Sequence, residues 1–540
     1  METQRSLRQK KNLGAFYTPA PYAAKALELL RQAIARVPAG NDYIILDRCA
    51  GIGNLEQSLT SEELSHCILS TIEYEEYRVL AEGFTGRIRH LIPERLTAPC
   101  ALISEADALT EEYLQHPVIH QYLEDPHCSV ILLENPPFAE VHGSEKNMAG
   151  TWKSSYLYKE MKKVLPDNVS DDIGNVFIWS CFRYYLRQET DSYIVFFPVK
   201  YWKSQGLVNK KFLGGFGFNR RHFNTNIDAC IMCALWANRE DPDSEEILLD
   251  GYDLDPEGKL IACGPLPVKR IHSSYTSVYY DKRKSKEDEK GIVCYSDGFE
   301  SIGRKLSLRP RYHRDMICYL APKGVGFDKP DLNCTLTTCA FYNGHGFYVY
   351  RDNFLTKMPL FCASRYVVYN RSWTERARIM KSADGAERFR KAVESGVLEQ
   401  FLLKCLLFTC LDLQNHCCTF RGSDGRFYRN ELCLDDTNGE TAALQELKKL
   451  RQNEIEKSLF SKWKKVLLEA KKLELYDPTL TYGLYQIFFQ LDTSKPDPAS
   501  RNRLWDHKEL HATIGELKGA LKEYYLNEIV PTLFEYEFLK

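Results

Sequence analysis

Five short apolar runs, each stopped by an acidic, polar or turn residue, punctuate the first 240 residues and leave few folds open. They are Tyr43 to Asp47, His66 to Glu73, Cys100 to Ser104, Cys128 to Glu134 and Tyr193 to Pro198. Near-continuous hydrophobicity over about four to eight residues is what a strand buried on both faces needs, and the segments between must then supply the covering helices. The clearest of these are Pro21 to Arg36, with proline in the first turn, and Asn175 to Arg187, with helical apolar spacing. The pattern predicts an α/β fold with a doubly wound sheet of parallel strands.

A chain of 540 residues exceeds what one core sustains, roughly 250–300 residues, so more than one domain is expected. We place a first domain over 1–240, a mixed α+β region over 241–440 and a helical region over 441–540. The first boundary rests on the acidic, Pro-containing stretch NREDPDSEE, and the second on the helical spacing that begins at Thr441. At 44% hydrophobic and 27% charged residues, the chain belongs with folded proteins rather than disordered or collagenous ones. No run approaches the roughly 18 apolar residues of a membrane span, and the basic N-terminus lacks an apolar leader stretch, so a cytoplasmic location is expected.

The 18 cysteines read as reduced. Cys230 and Cys233 form a CxxC inside an apolar strand-like run, where alternation sends the two side chains to opposite faces. His416, Cys417, Cys418 and Cys433, with Cys405 and Cys410 upstream, lack paired zinc-ligand spacing. No metal is expected. Pro242-Asp243 with Glu257-Gly258-Lys259 has the spacing of a metal-dependent nuclease motif, but DPEGK between two strand-like runs reads better as a hairpin turn. The net charge of −2 means that any attraction to nucleic acid must come from local patches. Two candidates interleave basic and aromatic residues, as phosphate contact and stacking require. The first is Arg304, Lys305, Arg309, Arg311 and Arg314; the second is Arg365, Arg371, Arg376 and Arg378 around Tyr366, Tyr369 and Trp373.

Two loops carry chemistry. In LDRCAGIGNLE, Asp47 ends a strand and Gly51 and Gly53 follow, a turn that lets backbone approach a ligand closely. Glu73, about 20 residues beyond Gly53, stands where a carboxylate holds ribose hydroxyls. The third glycine of a dinucleotide fingerprint and any GKS or GKT loop are missing, which weakens the dehydrogenase and nucleotide-hydrolase readings. In the second loop, Asn135-Pro136-Pro137-Phe138 again follows an apolar strand. Paired prolines fix the backbone, so the Asn135 amide oxygen and the Pro136 carbonyl become two acceptors matched to an exocyclic amine, while Phe138 stacks on a flat base.

The order Phe16-Tyr17-Thr18-Pro19, glycine turn, Asn135 to Phe138 resembles that of amino-group DNA methyltransferases that use S-adenosylmethionine, and the correspondence covers nearly all of residues 10–240. The resemblance implies a seven-stranded, mostly parallel sheet, with the 241–440 region recognising the DNA target. By the same likeness Tyr17 and Thr18 touch the cofactor, Asp47, Gly51 and Gly53 flank its methionine part, Glu73 holds its ribose and Asp107 its adenine amino group. Catalysis falls to Asn135, Pro136, Pro137 and Phe138, with methyl transfer directly to the N6 of an adenine flipped out of double-stranded DNA. A modification component with a separate restriction endonuclease, or a solitary enzyme, fits equally. The sequence departs from the family pattern at Arg48, where proline is usual, and at Asn54-Leu55, where an aromatic is common. Cys100 resembles a cytosine-C5 nucleophile in type only and is expected to be buried. Methylation of another planar amine, in RNA or a protein glutamine, and a catalytically silent DNA-binding subunit are the competing readings.

Overall fold

The computed structural model describes residues 18–96, 99–137, 152–165, 169, 172–223, 228–279, 292–293, 311–312, 316–322, 334–338, 347–366, 372–376, 378–421, 425–497 and 503–540. They fall into two units, one running up to Arg270 and including Ser372–Arg378, the other formed by Ile271–Arg371 and Ile379–Lys540.

The first unit is built on a sheet of β1 (Asp42–Asp47), β2 (Cys67–Ser70), β3 (His90–Ile92), β4 (Cys128–Glu134), β5 (Ser192–Pro198), β6 (Lys210–Asn219), β7 (Cys230–Glu240), β8 (Glu246–Leu254) and β9 (Leu260–Lys269). Their order is β3-β2-β1-β4-β5-β7-β6-β8-β9. The sheet is therefore nine-stranded and mixed, not the seven-stranded one expected: β7 and β9 run antiparallel to their neighbours, and the rest run parallel. The two added strands are the pair on either side of DPEGK, which does form a hairpin turn, closed by Asp255 N–H donating to the Lys259 carbonyl at 2.9 Å. Because β8 pairs with β6 through Phe216↔Asp250 and Gly217↔Gly251, the sheet passes straight through the acidic stretch near residue 240.

Both faces of the central strands are buried, which is why these runs are apolar throughout. Ile44, Leu46, Val130 and Leu132 point into one layer, and Ile45, Ile131 and Leu133 into the other. Helix α1 (Ala20–Ile34) covers the second layer through Tyr22, Ala26, Leu30 and Ala33, at the i, i+3 and i, i+4 spacing of one helical stripe. Helix α2 (Tyr74–Phe84) adds Tyr77, Leu80 and Phe84 to that layer, and α3 (Ile173–Ser180) adds Val176, Phe177 and Ile178 to the first. Cys230 and Cys233 lie in different layers, as strand alternation requires. The run Cys100–Ser104 is not a strand: it makes one isolated bridge, Leu102 to Glu73, and passes into a short 3-10 turn.

The second unit has a four-stranded sheet in the order Phe347–Tyr350, Met316–Pro322, Cys334–Thr337, Asn415–His416. One apolar core joins Leu336 and Phe347 of this sheet to Phe361 and Leu406 of two helices, and to Trp463 and Leu517 of the paired helices Glu454–Ala470 and Lys508–Tyr524. The C-terminal helices thus share a core with the sheet instead of forming a region of their own. Among the described residues, no helix is long and apolar enough to cross a membrane.

Candidate active site

β1 and β4 are neighbours in the sheet although β2 and β3 lie between them in sequence. Loops leaving such a pair diverge, and the crevice they open at the carboxyl edge is where ligands bind in open α/β sheets. Asp47 is the last residue of β1 and Glu134 the last of β4, so the glycine turn and the Asn-Pro-Pro segment both leave from this point.

Thr18 joins them. Its hydroxyl oxygen accepts from Asn135 Nδ2 at 2.9 Å, and its carbonyl accepts from Asn54 Nδ2 at 3.4 Å. Three segments that are remote in sequence therefore meet on one buried threonine. The Asn135 amide is oriented by this bond, which makes Oδ1 its acceptor end. Pro136 is buried and Pro137 partly so. Pro137 sits against Gly174: a Cβ there would fall 3.1 Å from the Pro137 carbonyl and 2.1 Å from the Phe197 ring. Tyr17 and Phe138 lie outside the described residues.

In the glycine turn, Gly51 and Gly53 have φ of 59° and 81°, the left-handed region that side-chain-bearing residues avoid. Gly53 is also packed tightly, since a Cβ would stand 2.5 Å from the Phe84 ring. Ala50 N–H donates to the Ser70 carbonyl at 2.9 Å and ties the turn to the end of β2. Glu73 follows that strand, partly exposed, at the N-cap of α2. Ile103 N–H donates to the Ile72 carbonyl at 2.8 Å, which carries the segment of Asp107 to the same strand end. Asp107 is partly buried and accepts from Leu109 N–H at 3.0 Å; burial raises its carboxyl above the ordinary range, against the pull of that bond.

The electrostatics of the crevice are unusual. Asp47 and Glu56 are both fully buried. Burial, with Glu56 and Glu134 beside it, drives the Asp47 carboxyl well up, and burial pushes Glu56 up to about 7, opposed by the neighbouring Asp47 carboxyl. Arg48 is equally buried and grips Glu134 with two donors, Nε to Oε1 at 2.5 Å and Nη2 to Oε2 at 2.9 Å. Asp47, Cys49 and Glu134 bring three ligand-type atoms within 4.8 Å of one another, but both Glu134 oxygens are already engaged by Arg48.

Sequence reading allowed Arg48 a salt link but missed Glu134 as its partner, and it missed Glu56 and the bond of Asn54 to Thr18. The signal for the pair was present: opposite charges stand at the ends of two otherwise apolar strands. Other expectations need correcting. Cys100 is exposed, because its segment is not a strand within the sheet. Arg365 and Tyr366 are buried, with Arg365 paired to Asp412 at 3.0 Å, so neither faces a phosphate. Trp373 Nε1 donates to Asp253 Oδ2 at 2.9 Å, and Arg378 Nη1 to the Pro267 carbonyl at 3.2 Å, within the first unit. Arg304, Lys305, Arg309, Arg314, Tyr369 and Arg371 lie outside the described residues, as do the side chains of Arg311 and Arg376.

No protein-family profile and no curated protein matches the chain. Among solved structures it is similar to a type I restriction-modification methyltransferase subunit from Streptococcus thermophilus, with 15% identity and a TM-score of 0.29 over 46% of this chain and 49% of that one. It is similar to the type IIL restriction-modification enzyme MmeI in complex with DNA, with 13% identity and a TM-score of 0.37 over 99% of this chain and 80% of that one. A nuclease-deletion mutant of the type ISP restriction-modification enzyme LlaGI, in complex with a DNA substrate mimic, gives 12% and 0.36 over 65% and 51%. The chain spans about half the length of the type I subunit and of LlaGI.

Proposed function

We propose that the chain is an S-adenosylmethionine-dependent DNA methyltransferase acting on the N6 amino group of a flipped-out adenine, as the modification component of a restriction-modification system or as a solitary enzyme. The observation that carries this reading is the meeting of Thr18, Asn54 and Asn135 at the switch point, because it puts the glycine turn and an amine-accepting amide side by side. The residues present suit the cofactor. Buried carboxyls whose pKa values are raised for want of a compensating charge favour a cation next to them, and the positive φ of Gly51 and Gly53 gives the turn a backbone that a ligand can approach closely.

When bound, S-adenosylmethionine supplies a methyl group on a positively charged sulfur, an electrophile that needs no metal. In this reading Thr18, Asp47, Gly51, Gly53, Glu73 and Asp107, with Tyr17, hold and orient it. Asn135 Oδ1 and the Pro136 carbonyl accept both hydrogens of the target amine, which turns its lone pair out of conjugation with the ring. Pro137 stiffens the loop, and Phe138 stacks on the base. Positioning of this kind accounts for most of the rate in a direct transfer. A base in a duplex must leave the stack to reach such a crevice.

The test is incubation of purified protein with S-adenosylmethionine and unmethylated bacterial DNA, RNA or protein, followed by mass spectrometry of digested nucleosides and peptides. N6-methyladenine confined to the DNA is expected. Methylation of RNA or of glutamine alone contradicts the substrate assignment, and cofactor binding with no methylated product contradicts the enzymatic one.

A further inference from the structure

Arg48 and Glu134 occupy positions that no account of cofactor or base binding uses, yet they stand between the two loops that carry it. Arg48 begins the glycine turn after β1; Glu134 ends β4 immediately before Asn135. Besides its two bonds to Glu134, the guanidinium donates from Nη1 to Ser180 Oγ at 2.9 Å and from Nη2 to the Phe177 carbonyl at 3.0 Å. It also lies 4.4 Å from the ring centroid of Tyr185. Glu134 accepts further bonds from the Arg48 backbone N–H at 3.3 Å and from Tyr193 hydroxyl at 3.0 Å. Both side chains are fully buried.

A buried pair of this kind adds little stability over well-packed apolar residues, since removing two charges from water offsets their attraction. What it does supply is geometry. A planar fork on a carboxylate fixes distance and angle together, and here the fork links the starts of two loops. We propose that Arg48, through Glu134 and with Tyr193 and Ser180 as supports, is a positioning residue that sets Asn135 against the cofactor turn. The inference rests on the proposed function. It gives a reason for arginine where the resemblance led us to expect proline: the turn is held by a bond to the neighbouring strand instead of by a rigid ring.

The test compares wild type with the paired variant Arg48→Met/Glu134→Met, which replaces both charges by apolar groups that fit against Phe177 and Tyr185, and with Tyr193→Phe, which removes one bond to Glu134. Melting temperature, S-adenosylmethionine affinity by calorimetry, KM for DNA and the single-turnover rate of methyl transfer are measured. We expect the paired variant to melt like wild type and to keep both affinities within about twofold, while its rate falls on the order of 10- to 100-fold, as a displacement near 1 Å produces. Tyr193→Phe is expected to lose several-fold in rate at unchanged KM. A folded paired variant with the wild-type rate overturns the proposal. If the paired variant does not fold, Tyr193→Phe decides: an unchanged rate, or a raised KM with unchanged kcat, overturns it. Should wild type bind S-adenosylmethionine and transfer no methyl group to DNA, the function reading falls separately. The coupling is then judged by hydrogen exchange at the Asn135 amide when S-adenosylhomocysteine binds. Slowing in wild type and not in the paired variant supports it, and the same response in both overturns it.

Discussion

Two carboxyls buried side by side set the behaviour of the crevice at the scale of single residues. Glu56 titrates at about 7 in the folded chain, above the 4.5 of a free glutamate. Between those values the folded state keeps a proton that the unfolded state has released, so the stability tied to this group is full below about 4.5 and lost as pH rises through about 7. Glu56→Gln is therefore expected to flatten the decline of melting temperature between pH 5 and 8 and to raise it at pH 8, by about 2–4 °C; an unchanged profile in scanning calorimetry contradicts this. Arg48→Met alone is a different case, because it strands Glu134 in the interior. We expect a loss of about 3–5 kcal/mol in chemical denaturation, against little or none for the paired variant. What was legible at this scale is placement: Asp47 and Glu134 close apolar runs, so the glycine turn and Asn135 could be expected at strand ends. The Thr18–Asn135 bond was not, since nothing local signals a contact between side chains 117 residues apart.

Strands and helices position these residues through a few tight contacts. Gly53 combines a positive φ with a Cβ position only 2.5 Å from the Phe84 ring, so Gly53→Ala has to shift α2 or distort the turn. A cost of about 1–3 kcal/mol is expected, seen as a loss of S-adenosylmethionine affinity by calorimetry larger than the fall in DNA affinity. Gly174→Ala drives into Phe197 and the Pro137 carbonyl. It is expected to lower the single-turnover rate more than cofactor affinity, and equal losses in both contradict the role assigned to that packing. Most elements were readable because burial on both faces leaves an unbroken apolar run, as in Cys128–Glu134. Where that condition fails, reading fails too. The three residues of β3 are too few to show a pattern, and the Cys100–Ser104 run has strand-like composition but no strand beside it to complete a ladder.

For the whole chain, the acidic stretch near residue 240 is a loop between two strands of one sheet, not a boundary. Composition alone does not distinguish the two, since both are polar and rich in turn residues. The structure predicts that a chain ended at residue 240 leaves β6 without β8 and exposes the layer that Leu249, Leu266 and Val268 complete. Such a fragment is expected to aggregate, whereas one ended at Arg270 keeps that layer; equal solubility of the two in sedimentation contradicts the continuous sheet. The helical C-terminus was recognisable from its spacing, but its shared core with the second sheet was not, because apolar stripes do not name their partners. The central claim is that the switch point brings a methyl donor and an amine acceptor together through Asn135. Its most direct test is transfer of label from radiolabelled S-adenosylmethionine to unmethylated DNA by wild type and by Asn135→Ala, with cofactor affinity measured on both. Label on adenine N6 with wild type, a loss on the order of 10²-fold or more with Asn135→Ala and equal cofactor binding is the predicted result. Equal labelling by the two proteins, or none by either despite bound cofactor, contradicts it.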